Sequence, residues 1–193
     1  MIPLSKKGNQ QADVVAHSFD RSPDLIVTSP FLRAQHTAIP ITERFPSVPV
    51  TQWPVEEFTY LGHLHDQRTT GLERRPLVDA YWNAADPRYV DDEKSESFEG
   101  VCDRARRLLT QLSQRDGTVA VFTHGLFMRV VLWVILTGDT AATADSMRRF
   151  NALRTAYLIP NCSIITLSLH PESGWRALGA TVGHLPGVLR TGE

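Results

Sequence analysis

Val119-Ala120-Val121-Phe122-Thr123-His124-Gly125-Leu126-Phe127-Met128-Arg129-Val130-Val131-Leu132 decides the fold. The first four residues are an unbroken apolar run, shaped for a strand covered on both faces. Thr123-His124-Gly125 breaks the run, and a hydrophobic helix begins at about Leu126. That apolar helix stretch ends at Leu136 and Arg129 interrupts it. Spanning a bilayer takes about 20 apolar residues, so it reads as a buried helix and not a membrane segment. A fully buried strand running straight into a helix is the building unit of a parallel α/β sheet.

The same unit recurs upstream. Leu25-Ile26-Val27 is a second short apolar run, followed by the breaker Ser29-Pro30 and then a helical stretch over Leu32 to Arg44, which Pro40 kinks or divides. Val48 to Gln52 fits a further strand. Ahead of these, Ser5 can cap a helix running to about Phe19, with Ala12, Val15, Ala16 and Phe19 on one face. The clearest helix is Ser95 to Gln114. Phe98, Val101, Cys102, Ala105, Leu108, Leu109 and Leu112 form one stripe along it, and Asp116-Gly117 ends it. Cys162 to Leu169 and Trp175 to Val182 read as strands joined by Pro171-Glu172-Ser173-Gly174, a hairpin near the sheet edge.

The 53–94 stretch departs from this alternation. It is polar, carries Pro54, Pro76 and Pro87, and shows one short helix near Leu72 to Ala84. A long insertion in a compact domain is typically a functional loop, so 53–94 reads as a lid within a single domain of residues 1–193.

Composition narrows the function. Of the 193 residues, 42% are hydrophobic and 21% charged, an ordinary globular mixture. Twenty basic against twenty-one acidic residues leave a formal charge of −1. That balance argues against nucleic acid as a partner, because phosphate neutralisation along a backbone needs a basic excess. Cys102 and Cys162 make no disulfide scaffold, and no apolar export segment follows Lys6-Lys7. Both point to a cytoplasmic setting with no membrane partner. Asn161-Cys162-Ser163 matches the glycosylation triplet but has no export signal behind it. Oligomeric state is open.

The chemistry belongs at the strand ends. In open parallel sheets ligands bind beyond the carboxyl ends of the strands. Thr28-Ser29-Pro30-Phe31-Leu32-Arg33 ends one strand and Thr123-His124-Gly125 another, and each leads into a helix N-terminus. Backbone N–H groups and the helix dipole there favour an anion. Arg33 adds a planar fork suited to phosphate. His124 adds an imidazole, although a histidine after a buried strand is also a common structural residue.

Several segments resemble one family. Leu4-Ser5-Lys6-Lys7-Gly8-Asn9-Gln10-Gln11-Ala12, Ser29-Pro30-Phe31-Leu32-Arg33-Ala34-Gln35-His36-Thr37-Ala38, Glu96-Ser97-Phe98, Phe122-Thr123-His124-Gly125 and Asn161-Cys162-Ser163 resemble, in order, motifs of the histidine phosphatase (phosphoglycerate mutase-like) superfamily. Lys94-Ser95 stands where that family has glycine ahead of the glutamate–serine pair. The resemblance implies a three-layer α/β/α sandwich, its sheet mostly parallel with helices on both faces. It implies a phosphomonoester hydrolase working through a phosphohistidine on a small phosphorylated substrate, with no metal or organic cofactor. Arg33 and His124 would hold the phosphoryl group. Glu57 would be the general acid that protonates the leaving oxygen, with Glu56 as its rival.

One departure stands against these matches. The family's nucleophile lies in an Arg-His-Gly segment on its first strand, and no such triplet occurs here. Met1-Ile2-Pro3-Leu4 is too short to supply that strand, and Pro3 could not pair inside a central one. Either the start lies upstream or the chain is a truncated, non-catalytic phospho-ligand-binding relative. A phosphomutase is the third reading. Serine-hydrolase and nucleotide-loop motifs are absent from the sequence.

Other polar residues carry weaker signals. His63-Leu64-His65-Asp66 has metal-like density but no further ligand cluster beside it, so no metal is expected. Arg68, Arg74, Arg75 and Arg88 could meet an acidic substrate group or simply be solvated. His17 and His36 read as surface or packing residues, and His184 as a candidate at the pocket border. Trp53, Trp82, Trp133 and Trp175 read as packing.

Overall fold

The computed structural model describes residues 3–64, 67, 69–138 and 141–192. Their contacts divide the chain into two compact units. Unit 1 comprises Met1–Glu56, Leu108–Gly125 and Leu158–Glu193, and unit 2 comprises Glu57–Arg107 and Leu126–Tyr157.

Unit 1 is built on a three-stranded parallel sheet. Its strands are β1 (Leu25–Thr28), β2 (Val50–Gln52) and β3 (Val119–Phe122), in the order β2-β1-β3. Ile26 lies opposite Val50 on one side and Ala120 on the other. The central β1 is buried at all four positions, which is why it reads as a continuous apolar run. Two helices pack in the same unit. Helix α1 (Lys6–His17) is capped by the Ser5 hydroxyl, which accepts from the Gly8 N–H at 3.1 Å. Helix α2 (Leu32–Arg44) carries Pro40 in its interior without ending there. The core joins Val15 and Ala16 of α1, Ala38 and Ile41 of α2, Ile26 of β1, and Ala120 and Phe122 of β3. Burying each large side chain of that set is worth about 1.5–3 kcal/mol.

The turn into β3 needs a glycine. Gly117 has φ +85°, and a Cβ there would collide with the Asp24 carboxylate. Asp24 Oδ2 in turn accepts the Thr118 N–H at 2.7 Å, just ahead of β3.

The hairpin forms, but shorter than its sequence suggests. Strands β4 (Leu167–His170) and β5 (Gly174–Ala177) pair antiparallel as a separate two-stranded sheet. Cys162 adopts φ +59°, and beyond the strand ends the pairing continues through the Leu178 N–H to Thr166 O bond at 2.9 Å and an Ile164–Thr181 bridge. Among the described residues no strand pairs with the β3 edge that faces away from β1. The C-terminal segment returns to α1, where Gln11 Nε2 donates to Leu189 O at 2.6 Å and Thr191 Oγ1 at 2.9 Å.

Unit 2 is helical with an aromatic core. Helix α3 (Gly71–Ala84) falls where the insertion's one helix is expected, and a Thr70–Glu73 capping box starts it. Helix α4 (Phe98–Ser113) starts at the first residue of its apolar stripe, three residues after the expected Ser95, and its last six residues belong to unit 1. Helix α5 (Gly125–Thr137) follows His124 directly. Helix α6 (Ala144–Ala156) has no counterpart in the sequence reading. Reciprocal hydrogen bonds between Thr143 and Ser146 start it, with Met147 and Phe150 on its buried face. Trp82, Phe98 and Phe150 are fully buried, with ring centres 5.2 Å apart for Phe98–Phe150 and 5.8 Å for Trp82–Phe150. Trp82 and Trp133 are core residues as expected. No helix among the described residues is long and apolar enough to cross a membrane.

Candidate functional site

In unit 1, the end of β1 turns abruptly into α2. The Ser29 N–H completes the sheet by donating to Phe122 O at 2.9 Å. Its hydroxyl, fully buried, accepts from the Phe31 N–H at 3.1 Å and lies 2.8 Å from His124 Nε2. His124 is 6% exposed. The Phe31 and His124 rings meet edge to face, with centroids 5.3 Å apart. Arg33, the second residue of α2, sets its guanidinium carbon 5.0 Å from the centre of the same Phe31 ring. The end of β1 and the end of β3 thus bring Arg33 and His124 to one aromatic side chain. Thr123, just before His124, donates to Val55 O at 2.5 Å and fixes the backbone there.

Ser29 and Phe31 were quoted in the sequence pattern without a role. The signal for Ser29 is a small hydroxyl residue that follows a buried strand and precedes a proline.

In unit 2, Glu57 occupies the first turn of α5. Its Oε1 accepts N–H groups from Leu126, Phe127 and Phe58, each at 3.1 Å, and Oε2 has a 3.5 Å contact to the Leu126 N–H. A carboxylate at a helix N-terminus is stabilised by such donors and by the dipole. Arg129, one turn further along α5, adds a favourable charge toward Glu57. Its own ionised form is disfavoured, first by burial. Glu96 is held in place: its N–H donates to Thr59 O at 3.0 Å, and its carboxylate pairs with the buried Arg104. Arg104 in turn lies over the Phe127 ring at 4.4 Å.

The remaining candidates separate clearly. Arg74 donates to Thr69 Oγ1 and Gln67 O, Arg75 pairs with Asp79, and Arg88 with Glu99, all within their own surroundings. His63 pairs with Asp91. His65, Asp66 and Arg68 lie outside the described residues, as do Met1 and Ile2. Among the described residues no group of three or more His, Cys, Asp or Glu is arranged to hold a metal. His184 Nε2 donates to Cys162 O at 3.1 Å, and burial lowers the pKa of His184. His17 is exposed and His36 half-buried.

Arg33 and His124 stand at the carboxyl ends of two parallel strands, where ligands of open α/β sheets bind. The family model "Histidine phosphatase superfamily (branch 1)" matches residues 2–178, and the chain belongs to that superfamily. Among solved structures it is similar to mycobacterial glucosyl-3-phosphoglycerate phosphatase in complex with inorganic phosphate, at 25% identity and TM-score 0.69, covering 95% of this chain and 90% of that one. It shares its fold with phosphoserine phosphatase from Entamoeba histolytica in complex with 3-phosphoglyceric acid (18% identity, TM-score 0.71, 96% and 87% covered). The same holds for alpha-ribazole phosphatase from Shigella flexneri (18% identity, TM-score 0.68, 92% and 83% covered). No curated protein sequence matches the chain significantly.

Proposed function

We propose that this chain is the phosphoryl-binding and proton-donating part of a phosphomonoester hydrolase acting on a small phosphorylated metabolite. The observation that carries the reading is Arg33 and His124 against one Phe31 ring, with buried Ser29 holding the imidazole. Arg33 gives the phosphoryl oxygens two parallel donors, and His124 gives them a third from the side. Together they stabilise charge spread over the equatorial oxygens in the transition state.

The superfamily's chemistry calls for a histidine nucleophile, and the 193 residues contain no Arg-His-Gly to supply it. Its nitrogen attacks phosphorus as the ester P–O bond breaks, and Glu57 passes a proton to the departing alkoxide. Water then attacks phosphorus, the P–N bond breaks, and the water's proton returns to Glu57. Glu56 remains the rival for this role.

A second reading rests on the same missing triplet. Without a nucleophile the 193 residues bind a phosphorylated ligand and do not cleave it. Both readings require anion binding at Arg33. Isothermal titration with inorganic phosphate is expected to show Arg33→Ala weakening binding by about tenfold or more, consistent with loss of a charge-assisted pair. Arg74→Ala is expected to change it by less than about twofold, since its partners are its own loop. Equal losses would place the anion among the arginines of 53–94 and sink the assignment.

A further inference from the structure

The surroundings of Ser29 decide which nitrogen of His124 carries the proton. A neutral imidazole donates from one ring nitrogen and accepts at the other. Ser29 is 0% exposed, so water does not complete its hydrogen bonding. Its backbone N–H is used in the sheet, donating to Phe122 O at 2.9 Å. Among the described residues its Oγ has two partners, the Phe31 amide at 3.1 Å and His124 Nε2 at 2.8 Å. The amide only donates, so it occupies one lone pair of Oγ. The hydroxyl hydrogen then has one acceptor to meet, the lone pair on Nε2. The opposite arrangement, with the proton on Nε2, would give Oγ two donors and strand its own hydrogen at a fully buried position. A neutral ring that accepts at Nε2 carries its proton on Nδ1.

Every part of this arrangement lies in unit 1 and is held from more than one side. The Thr123 hydroxyl donates to Val55 O at 2.5 Å, which fixes the backbone next to His124. The Phe31 ring packs edge to face on the imidazole. Ser29 sits between the end of β1 and Pro30, with its amide tied into the sheet. The hydroxyl is therefore aimed at Nε2 before any ligand arrives. The same burial that permits this excludes Ser29 as a nucleophile, because no substrate reaches its Oγ.

We infer that Ser29 is a positioning residue that fixes His124 as a neutral imidazole with its proton on Nδ1, so that the ring meets the phosphoryl group as a donor without carrying charge. The inference rests on the proposed function, in which His124 holds phosphoryl oxygens. It divides the labour between the two groups at the Phe31 ring. Arg33 supplies the positive charge, and His124 supplies a neutral donor. Anion binding then does not depend on the titration of His124.

Two measurements on the intact chain test this. In isotope-labelled protein at about pH 7.5, above the ordinary histidine value, two-bond nitrogen–proton correlations of His124 should show a protonated Nδ1 and an unprotonated Nε2. Sulfate, a dianion throughout, reports the consequence by isothermal titration. Its affinity should change by less than about twofold between about pH 5.5 and about pH 8.5, a range that spans the ordinary histidine value of about 6.5. S29A removes the donor to Nε2. Its His124 should lose the Nδ1–H pattern at the higher pH, and its sulfate affinity should fall about fivefold or more as pH rises, the worth of roughly one net hydrogen bond. S29G serves if S29A does not fold, and S29T, which keeps the hydroxyl, should restore the original tautomer. R33A should weaken sulfate binding at every pH and leave the tautomer unchanged, since a guanidinium stays protonated throughout. A proton on Nε2 in the unaltered chain, or S29A and S29G variants that keep both the tautomer and the flat profile, would overturn the inference and leave the functional reading standing. If neither sulfate nor inorganic phosphate binds the unaltered chain, the functional reading falls and the inference falls with it.

Discussion

His124 in unit 1 and Arg154 in unit 2 are both cationic-capable side chains drawn away from water, and the two units treat them in opposite ways. His124 is closed in by a serine hydroxyl at 2.8 Å and a phenylalanine edge. Arg154 rests on an indole face with its Nε unpaired. The first is preassembled before any ligand arrives, so its geometry costs nothing to organise at binding. The second keeps a buried Nε without a hydrogen-bond partner, which is costly in the folded protein.

The sharpest way to break this contrast is to ask whether unit 1's preassembled groups suffice for catalysis. They should not. Residues 1–193 alone are expected to hydrolyse p-nitrophenyl phosphate at least 10⁴-fold more slowly than a variant extended at its N-terminus by a strand bearing Arg-His-Gly, on the order of what losing a nucleophile costs. The extended protein should also form an acid-labile phosphohistidine. Ordinary turnover by the 193 residues, abolished by His124→Ala, would make His124 the covalent nucleophile and end its assigned supporting role.

Packing offers a second contrast. Phe150 sits among Trp82, Phe98 and Trp133 and is fully buried. Phe150→Ala should therefore cost about 3–5 kcal/mol in chemical denaturation. Val188, on the C-terminal segment of unit 1, is 82% exposed. Val188→Ala should stay within about 0.5 kcal/mol. Similar losses for the two would mean that the aromatic cluster is not unit 2's core.

Glu57 sharpens the comparison further, because a cap and an acid predict different data. In the extended protein, Glu57→Gln should slow hydrolysis of an alkyl phosphate on the order of 10²-fold more than that of p-nitrophenyl phosphate, whose leaving group needs little protonation. A loss independent of the leaving group would mean that Glu57 only caps α5 through Leu126 and Phe127.

The sequence made unit 1 far more legible than unit 2. Strand β1 is a continuous apolar run because both of its faces are covered, whereas β3, also an apolar run, buries only Ala120 and Phe122 and leaves Val119 and Val121 half-buried, which departs from the fully covered strand its sequence suggests. Arg33 and His124 stand where such runs end. In unit 2, α3 was visible through its position after Thr70 and its helix-forming residues. Helix α6 was not, since its mean apolarity is low and its start depends on a Thr143–Ser146 cap without the usual glutamate. Arg129 could be noticed as a charge interrupting an apolar run. Arg154 could not, because one arginine in a polar helix gives no sign that it will lie over a buried tryptophan from another helix. Likewise, the hairpin turn is legible but the separation of β4 and β5 from the parallel sheet is not, since it depends on which edges meet in the folded protein.

The smallest expected effect concerns the latch that ties residues 62–64 to the 85–95 loop within unit 2. Asp91 Oδ2 accepts the His63 N–H at 3.1 Å and pairs with the His63 ring, and its Oδ1 accepts the Tyr89 hydroxyl at 3.2 Å. Burial pushes the Asp91 pKa up, but the contacts with His63 outweigh it and hold the carboxyl below its ordinary value. A carboxyl whose pKa is lower folded than unfolded adds stability that is complete above the unfolded value of about 3.9, and that stability is lost as pH falls through the folded value. Asp91→Asn should therefore lower the melting temperature by a few degrees from pH 5 upward, and the gap should close as pH drops below about 4. No counterpart is expected for Asp79→Asn, whose partner Arg75 is solvent-exposed. If the Asp91→Asn gap stays constant down to pH 3, the carboxylate charge plays no part and the latch is held by its hydrogen bonds alone.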